Sequence, residues 1–300
     1  MLSRRENGAG VIATERIDEW FAAGERVEAG GLRLFERVAG SEGAPWLTLL
    51  HGFPTCSWDW SPVADGLAAA RRLLMFDFAG FGDSDKPRDH VYSIHEQADL
   101  TEALWRRHGI ERTALVVHDY GVSVGQELLA RRAEGALEAE IERIAFLNGG
   151  LYPDLHRPLI AQRLLLHPTA GPMFSRTVNE RAFLRSLTRV FAHRPSDADL
   201  HQHWLGIARH GGARIQHLLI RYIEDRRRHA ERWTAALERT DVPRRFVWGM
   251  LDPVSGAHMA ERIAARMPPA ELHALADAGH YPQLEAPLRA GLLLREFVAP

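Results

Sequence analysis

Apolar positions along this chain fall into short runs broken by turn residues, and the runs follow two different periods. Residues 26–37 alternate around Gly30-Gly31 and predict a hairpin. Trp46–Leu50, Leu73–Phe78, 114–118 and 143–147 are brief aliphatic runs of strand length. Helical spacing lies between them, as at Gln126, Leu128, Leu129 and Arg132 after the third run. Strands alternating with helices predict βαβ units and a parallel sheet. Two further runs, around Arg245–Gly249 and Leu272–Ala276, extend that sheet near the end of the chain. Between Asn148 and Arg245 lie roughly 95 residues, far more than one crossover helix needs. Leu159, Gln162, Leu164 and Leu165, and later Ile215, Leu218, Leu219 and Tyr222, keep helical spacing there. The expected layout is a core over 1–149, a helical cap over 150–240 that closes a pocket, and the rest of the core over 241–300.

The run Leu115-Val116-Val117 breaks at His118-Asp119-Tyr120-Gly121, where a helical pattern begins. A polar residue on a tight strand-to-helix turn has the geometry of a nucleophile elbow. Two residues compete for the role. Gly121-Val122-Ser123-Val124-Gly125 matches the esterase pattern G-x-S-x-G, but that pattern needs its serine directly after the strand. Ser123 comes four residues later, inside the helix, and reads as a small packing residue. Asp119 stands where the strand ends. A carboxylate is already anionic near neutral pH, so it can displace a leaving group at a saturated carbon without a base. The resulting ester then requires an activated water, a His, a carboxylate to orient that His, and oxyanion donors.

The chain supplies each of them. Asp252 follows the run at Arg245–Gly249, and His280 follows the run at Leu272–Ala276 within Asp277-Ala278-Gly279-His280-Tyr281-Pro282. Single loop Asp or His residues are usually caps, but three in nucleophile, acid, His order beyond strand ends point to one site. The strand at Trp46–Leu50 ends in His51-Gly52-Phe53-Pro54, where Gly52 allows a close backbone approach to a ligand. The Phe53 and Tyr120 amides are the expected oxyanion donors. Gly80-Phe81-Gly82 lacks the third glycine of a dinucleotide loop and no helix pattern starts there, so it reads as a structural turn.

His51-Gly52-Phe53-Pro54, Gly80-Phe81-Gly82-Asp83-Ser84, His118-Asp119-Tyr120-Gly121 and Gly279-His280-Tyr281-Pro282 together resemble the Asp-nucleophile branch of the α/β-hydrolase superfamily, which holds epoxide hydrolases and haloalkane dehalogenases. With Gln126-Glu127-Leu128-Leu129, Tyr92-Ser93-Ile94, Asn148-Gly149-Gly150, His156-Arg157-Pro158 and Leu251-Asp252-Pro253-Val254, the chain is more closely similar to the mesoderm-specific transcript protein group over about residues 30 to 297. The resemblance implies an α/β-hydrolase fold: a mostly parallel eight-stranded sheet flanked by helices, with the cap inserted after the sixth strand. It also implies Asp119, Asp252 and His280 as the catalytic residues, a covalent ester, and no cofactor. Epoxide hydrolases of the branch protonate the ring oxygen with cap tyrosines. Tyr222 is the better candidate here, and Tyr152 or His156 the second donor. Dehalogenases use a Trp after the nucleophile and an Asn or Trp elsewhere to hold the halide. This chain has Tyr120 and Phe53 at those places, leaving Trp204 and Trp233 as substitutes. Epoxide hydrolysis of a small apolar substrate is therefore the first expectation and dehalogenation the second. Ester or lactone hydrolysis, or a binding module on the same scaffold, are the further alternatives.

Composition narrows the classes further. The chain has 300 residues, 46% hydrophobic and 25% charged, enough for one large core plus an insertion. A net charge of −2 gives nothing to favour nucleic acid, so the expected partners are a small-molecule substrate and water. One cysteine, Cys56, excludes an internal disulfide and fits a reducing cytoplasm. Met1–Glu6 carries charge with no apolar stretch after it, so no signal peptide is expected, and no run reaches membrane-spanning length. Lys86, the one lysine among 37 basic residues, reads as codon bias. His201, His203, His210 and His217 cluster in sequence, but no Cys or spaced carboxylate completes a metal site, and none is expected. Trp58 and Trp60 are expected to pack against the sheet or the pocket wall.

Overall fold

A computed structural model describes residues 15–268 and 270–299; the expectation at Met1–Glu6 falls outside them. One sheet of eight strands organises the chain: β1 (Glu25–Ala29), β2 (Leu32–Ala39), β3 (Trp46–Leu50), β4 (Arg72–Phe76), β5 (Arg112–His118), β6 (Glu140–Leu147), β7 (Arg244–Gly249) and β8 (Glu271–Leu275). The spatial order is β1-β2-β4-β3-β5-β6-β7-β8. Only the β1–β2 and β2–β4 pairs are antiparallel, and β4 through β8 run parallel. The expected fold class is the one observed.

The aliphatic runs are strands because both faces of the sheet are covered. In β5, Leu115 and Val117 join the core on one side, while Ala114 and Val116 join the core on the other. In β6, Ile144 and Phe146 alternate in the same way with Ala145 and Leu147. Helices α1 (Ile17–Ala22), α2 (Ser61–Ala68), α3 (Ile94–Arg107) and α4 (Tyr120–Ala133) follow in chain order. Between β6 and β7 come α5 (Ile160–Leu166), α6 (Ala170–Thr177), α7 (Glu180–Leu187), α8 (Asp197–Ala208), α9 (Gln216–Leu219), α10 (Tyr222–Arg228) and α11 (Ala230–Arg239). Helices α12 (Ala257–Arg266), α13 (Pro282–Glu285) and α14 (Pro287–Val298) complete the layers. Helix α11 packs along α4, on the flank of the sheet, where the buried Glu127 carboxylate accepts from Trp233 Nε1 at 2.7 Å and Arg131 Nε at 2.8 Å. No described helix is long and apolar enough to cross a membrane.

Two expectations change at the third-to-fourth strand region. The strand expected over Leu73–Phe78 ends at Phe76, because Asp77 and Phe78 are claimed by loops. The Asp77 carboxylate accepts from the Ser57 and Asp83 amides at 2.8 and 2.7 Å, and the Phe78 amide donates to His51 Nε2 at 3.1 Å. Lys86 also has a structural part beyond codon bias. Its ammonium is largely buried and donates to the carbonyls of Phe81, Gly82 and Ser84, closing the turn at Gly80-Phe81-Gly82. Trp58 and Trp60 are buried in the core beside the sheet, as expected. Cys56 is free and buried.

Candidate active site

Asp119 sits between β5 and α4 with φ 45° and ψ −98°, a strained conformation for a residue with a side chain. The strain is held by hydrogen bonds on either side: the Asp119 amide donates to Asn148 O at 2.9 Å, and the Gly121 amide donates to His51 O at 3.0 Å. Ser123 lies inside α4 and is fully buried, away from the strand end. Gly52 is required for a different approach than a ligand's. A Cβ there would fall 2.7 Å from His118 Nδ1 and 2.9 Å from Asp119 Cβ, so the missing side chain makes room for the elbow itself.

The three residues expected to work together do meet. His280 Nδ1 lies 2.7 Å from Asp252 Oδ2, and His280 Nε2 lies 3.4 Å from Asp119 Oδ2. The Phe53 amide donates to Asp119 Oδ1 at 2.9 Å. Tyr120 opens α4, and the first amides of a helix have no acceptor within it. If water adds to an ester made through Oδ2, the negative charge develops on Oδ1, where Phe53 already points.

Supporting groups were harder to see in the sequence. Asp252 Oδ2 also accepts from Ser255 Oγ at 2.6 Å and Asn148 Nδ2 at 3.1 Å, and its Oδ1 accepts from the Val254 amide at 2.8 Å. Asn148 itself is fixed by the Gly249 amide, which donates to its Oδ1 at 2.6 Å. His118 Nε2 donates to the His280 carbonyl at 2.8 Å, tying the elbow to the His loop. His118 ends β5 and Asn148 follows β6 directly, and the sequence showed them only as members of the motifs around the elbow and after β6.

Electrostatics follow from this packing. Burial opposes a charged imidazole, but the Asp252 and Asp119 carboxylates on its two sides hold the His280 pKa up to about 10. Burial would raise Asp119, yet the hydrogen bond and charge of His280, with help from Arg226, hold it down to about 2. The signs are opposite. Stability from His280 is complete below its ordinary value of 6.5 and is lost as pH rises through about 10. Stability from Asp119 is complete above 3.8 and is lost as pH falls through about 2. The His280 imidazole should therefore titrate near 10 by nuclear magnetic resonance, and clearly lower in Asp119→Asn, where one flanking anion is gone. A wild-type titration near 6.5 would mean that no such ion triad exists.

A partly open pocket leads to Asp119 and His280. Its wall is apolar, with Leu159, Leu165, Phe174, Phe183 and Val190 from the region between β6 and β7. Of the residues expected there, Tyr222 is brought close: its ring lies 4.8 Å from that of Tyr120 and 5.9 Å from that of Phe53. His156 is near enough to feel the Asp119 charge. Tyr152 is not brought to the site, because its hydroxyl donates to Glu238 Oε1 at 3.0 Å. Trp204 packs on Phe183 with ring centroids 5.6 Å apart, behind the pocket wall. The indole N–H of Trp233 is already committed to Glu127. The four histidines near residue 210 are dispersed, His201 facing Glu180 at 2.6 Å and His210 facing Asp83 at 2.7 Å.

The family model for the alpha/beta hydrolase fold matches residues 45–287, most of the chain. This chain belongs to that family. Among curated relatives, the mesoderm-specific transcript homolog protein of Bos taurus is 39% identical over 283 residues, covering 91% of this chain and 84% of that one. A cis-3-alkyl-4-alkyloxetan-2-one decarboxylase of Shewanella oneidensis is 27% identical over 254 residues, covering 80% and 77%. Among solved structures, the haloalkane dehalogenase DbeA-M1 loop variant from Bradyrhizobium elkanii superimposes with a TM-score of 0.77. It covers 91% of this chain and 95% of its own at 23% identity, a likeness of fold.

Proposed function

We propose that this member of the α/β-hydrolase family hydrolyses a small, largely apolar electrophile through a covalent ester on Asp119. The observation that carries the reading is the relay from Asp119 through His280 to Asp252, with a carboxylate rather than a hydroxyl at the strained elbow. Asp119 attacks carbon, the Phe53 amide holds the oxygen that gains charge, and His280 takes a proton from water to open the ester. Esterification removes one of the two anions that keep His280 protonated, so the imidazole releases its proton to solvent and can then act as a base at that step. The helices between β6 and β7 serve as a cap that keeps bulk water out.

The leaving group on this reading is oxygen, and an epoxide is the substrate class. The Trp233 indole N–H that could hold a halide is committed to Glu127 and Trp204 packs on Phe183, while a phenol lies beside the elbow. Burial and the Asp119 charge push the Tyr222 pKa up, so the phenol is protonated at working pH and has a proton to give to an alkoxide. A second reading, opening of a lactone, is favoured by the likeness to the oxetanone decarboxylase. The test is a panel of epoxides, haloalkanes, activated esters and lactones, with Asp119→Ala and Tyr222→Phe beside the wild type. Epoxides should yield diols, Asp119→Ala should be inert, and Tyr222→Phe should lose roughly 10²-fold in turnover. Halide release with epoxides untouched, or unchanged epoxide turnover in Tyr222→Phe, would reverse the ranking.

A further inference from the structure

Buried arginines in this protein are otherwise paired. Arg71 meets Glu142 with both terminal nitrogens at 2.9 Å, and Arg245 meets Glu271 at 2.6 and 2.9 Å. Arg226, from α10, is just as buried at 2% exposure, yet no acceptor lies within hydrogen-bond or ion-pair distance of it among the described residues. Its guanidinium lies over the Tyr222 ring, 4.7 Å from the centroid, and presses on Gly150, where a Cβ would fall 1.5 Å from Nη1. The chain thus spends a glycine, two residues after Asn148, to admit this group. Keeping a buried guanidinium without an acceptor is costly, so the position favours an anion.

A second orphan stands beside it. Helix α10 packs on the turn at Pro153–Leu155, and His156 follows that turn directly. Both ring nitrogens of His156 are buried and have no partner. Burial, and then the Arg226 charge, push its pKa down to about 3, so it is neutral and offers one N–H. The same segment reaches the elbow, since a Cβ on Gly149 would fall 3.2 Å from Asp119 Cα, and the Asp119 oxygens are engaged by Phe53 and His280 and do not satisfy Arg226 or His156.

We propose that Arg226 and His156 form a carboxylate subsite beside Asp119, so that the substrate is an amphipathic oxygen electrophile: its apolar tail fills the pocket and its carboxylate lies one or two carbons from the attacked atom. The proposal rests on the covalent reading above and narrows its substrate class. An arginine fork matches a carboxylate better than a lone alkoxide, because two parallel N–H donors meet two oxygens. The carboxylate has two sources. A 2,3-epoxy acid brings it in: Asp119 Oδ2 bonds to C3, the C3–O pair goes to the ring oxygen, and that oxygen takes the Tyr222 proton. A water then bonds through oxygen to the Asp119 carboxyl carbon as His280 takes its proton. The acyl C–O bond breaks toward the diol, which receives the His280 proton, and the second water proton restores Tyr222. A β-lactone instead releases the carboxylate: Asp119 bonds to C4, the C4–O pair leaves as the carboxylate at Arg226, and no acid is needed.

Titration calorimetry with hexanoate and hexanamide tests the subsite without turnover. Wild type should bind hexanoate at least tenfold more tightly, with the preference shrinking as salt rises. Arg226→Gln should lose the preference, and Arg226→Lys should keep part of it, with melting curves to confirm folding. Equal affinity for the two probes in the wild type overturns the proposal with no variant needed, as does a preference that survives in folded Arg226→Gln. In His280→Gln, adducts on Asp119 from 2,3-epoxyhexanoate or from 4-propyloxetan-2-one distinguish the two sources. Adducts from neutral epoxides without any carboxylate preference sink the subsite and leave the covalent reading standing. A carboxylate preference without any adduct does the reverse.

Discussion

His280→Gln protein should react once with substrate and then stop, with the mass of the substrate retained on the peptide that carries Asp119. The expectation follows from the division of labour at the site. On the proposed mechanism, attack on carbon uses the anionic Asp119 carboxylate, with Tyr222 as acid for an epoxide, and does not use His280; the carboxylate pKa is held at about 2 and its orientation is fixed through Oδ1 by the Phe53 amide. That step needs no base. Opening of the ester does require a base, because water is a poor nucleophile at an acyl carbon, and His280 Nε2 is the group on that side of Asp119. A glutamine has no comparable basicity. Steady-state turnover should fall by roughly 10³-fold or more while a single-turnover burst survives, the pattern of a blocked second step. Intact-protein and peptide mass spectrometry read the result directly. An adduct on Ser123 would overturn the assignment of the nucleophile, although Ser123 is buried within α4.

Asp252→Asn should lower turnover by roughly 10⁴-fold while the protein remains folded by circular dichroism. Asp252 Oδ2 accepts from three donors at once: His280 Nδ1 at 2.7 Å, Ser255 Oγ at 2.6 Å and Asn148 Nδ2 at 3.1 Å. An amide nitrogen in that position accepts from none of them. If the Asn side chain turns its oxygen there, the imidazole keeps its tautomer but loses the charge that stabilises its protonated form; if not, the tautomer is reversed. Either way the proton taken from water loses its counter-charge. Activity close to wild type would mean that another carboxylate serves His280. Glu285 is the neighbour to suspect from the sequence, but its carboxylate is occupied by the amides of Ala192, Gly279 and Tyr281 at 2.7, 3.1 and 3.0 Å.

The parallel sheet and the segments that form its strands were legible because the signals are local. Apolar runs of strand length, separated by helical spacing, state their own period, and both faces of β5 and β6 are buried as continuous apolar runs demand. The elbow was legible for the same reason: a strand, one polar residue and a helix start are consecutive in the chain. That Asp119, Asp252 and His280 meet follows from the topology, since parallel strands β5, β7 and β8 present their ends on the same edge of the sheet.

Direction of side chains across long separations was not legible. Tyr152 and Tyr222 carry the same phenol and both lie between β6 and β7, but Tyr152 turns to Glu238 while Tyr222 lies over Tyr120. Nothing within a few residues of either decides this; the position of α10 over the elbow and of α11 along α4 does. Lys86 looked like a compositional accident until the turn at Gly80–Ser84 closed around its ammonium. Arg226 sits in a run of three arginines, and one helical position turns it inward against Gly150. Short-range periodicity thus determined which segments are strands, which are helices and which loops carry the reactive groups, because those choices are made by neighbours in the chain. The tertiary structure alone decided which polar groups face the reacting atoms, because a buried donor takes whatever acceptor the packing brings, and that acceptor comes from far along the sequence.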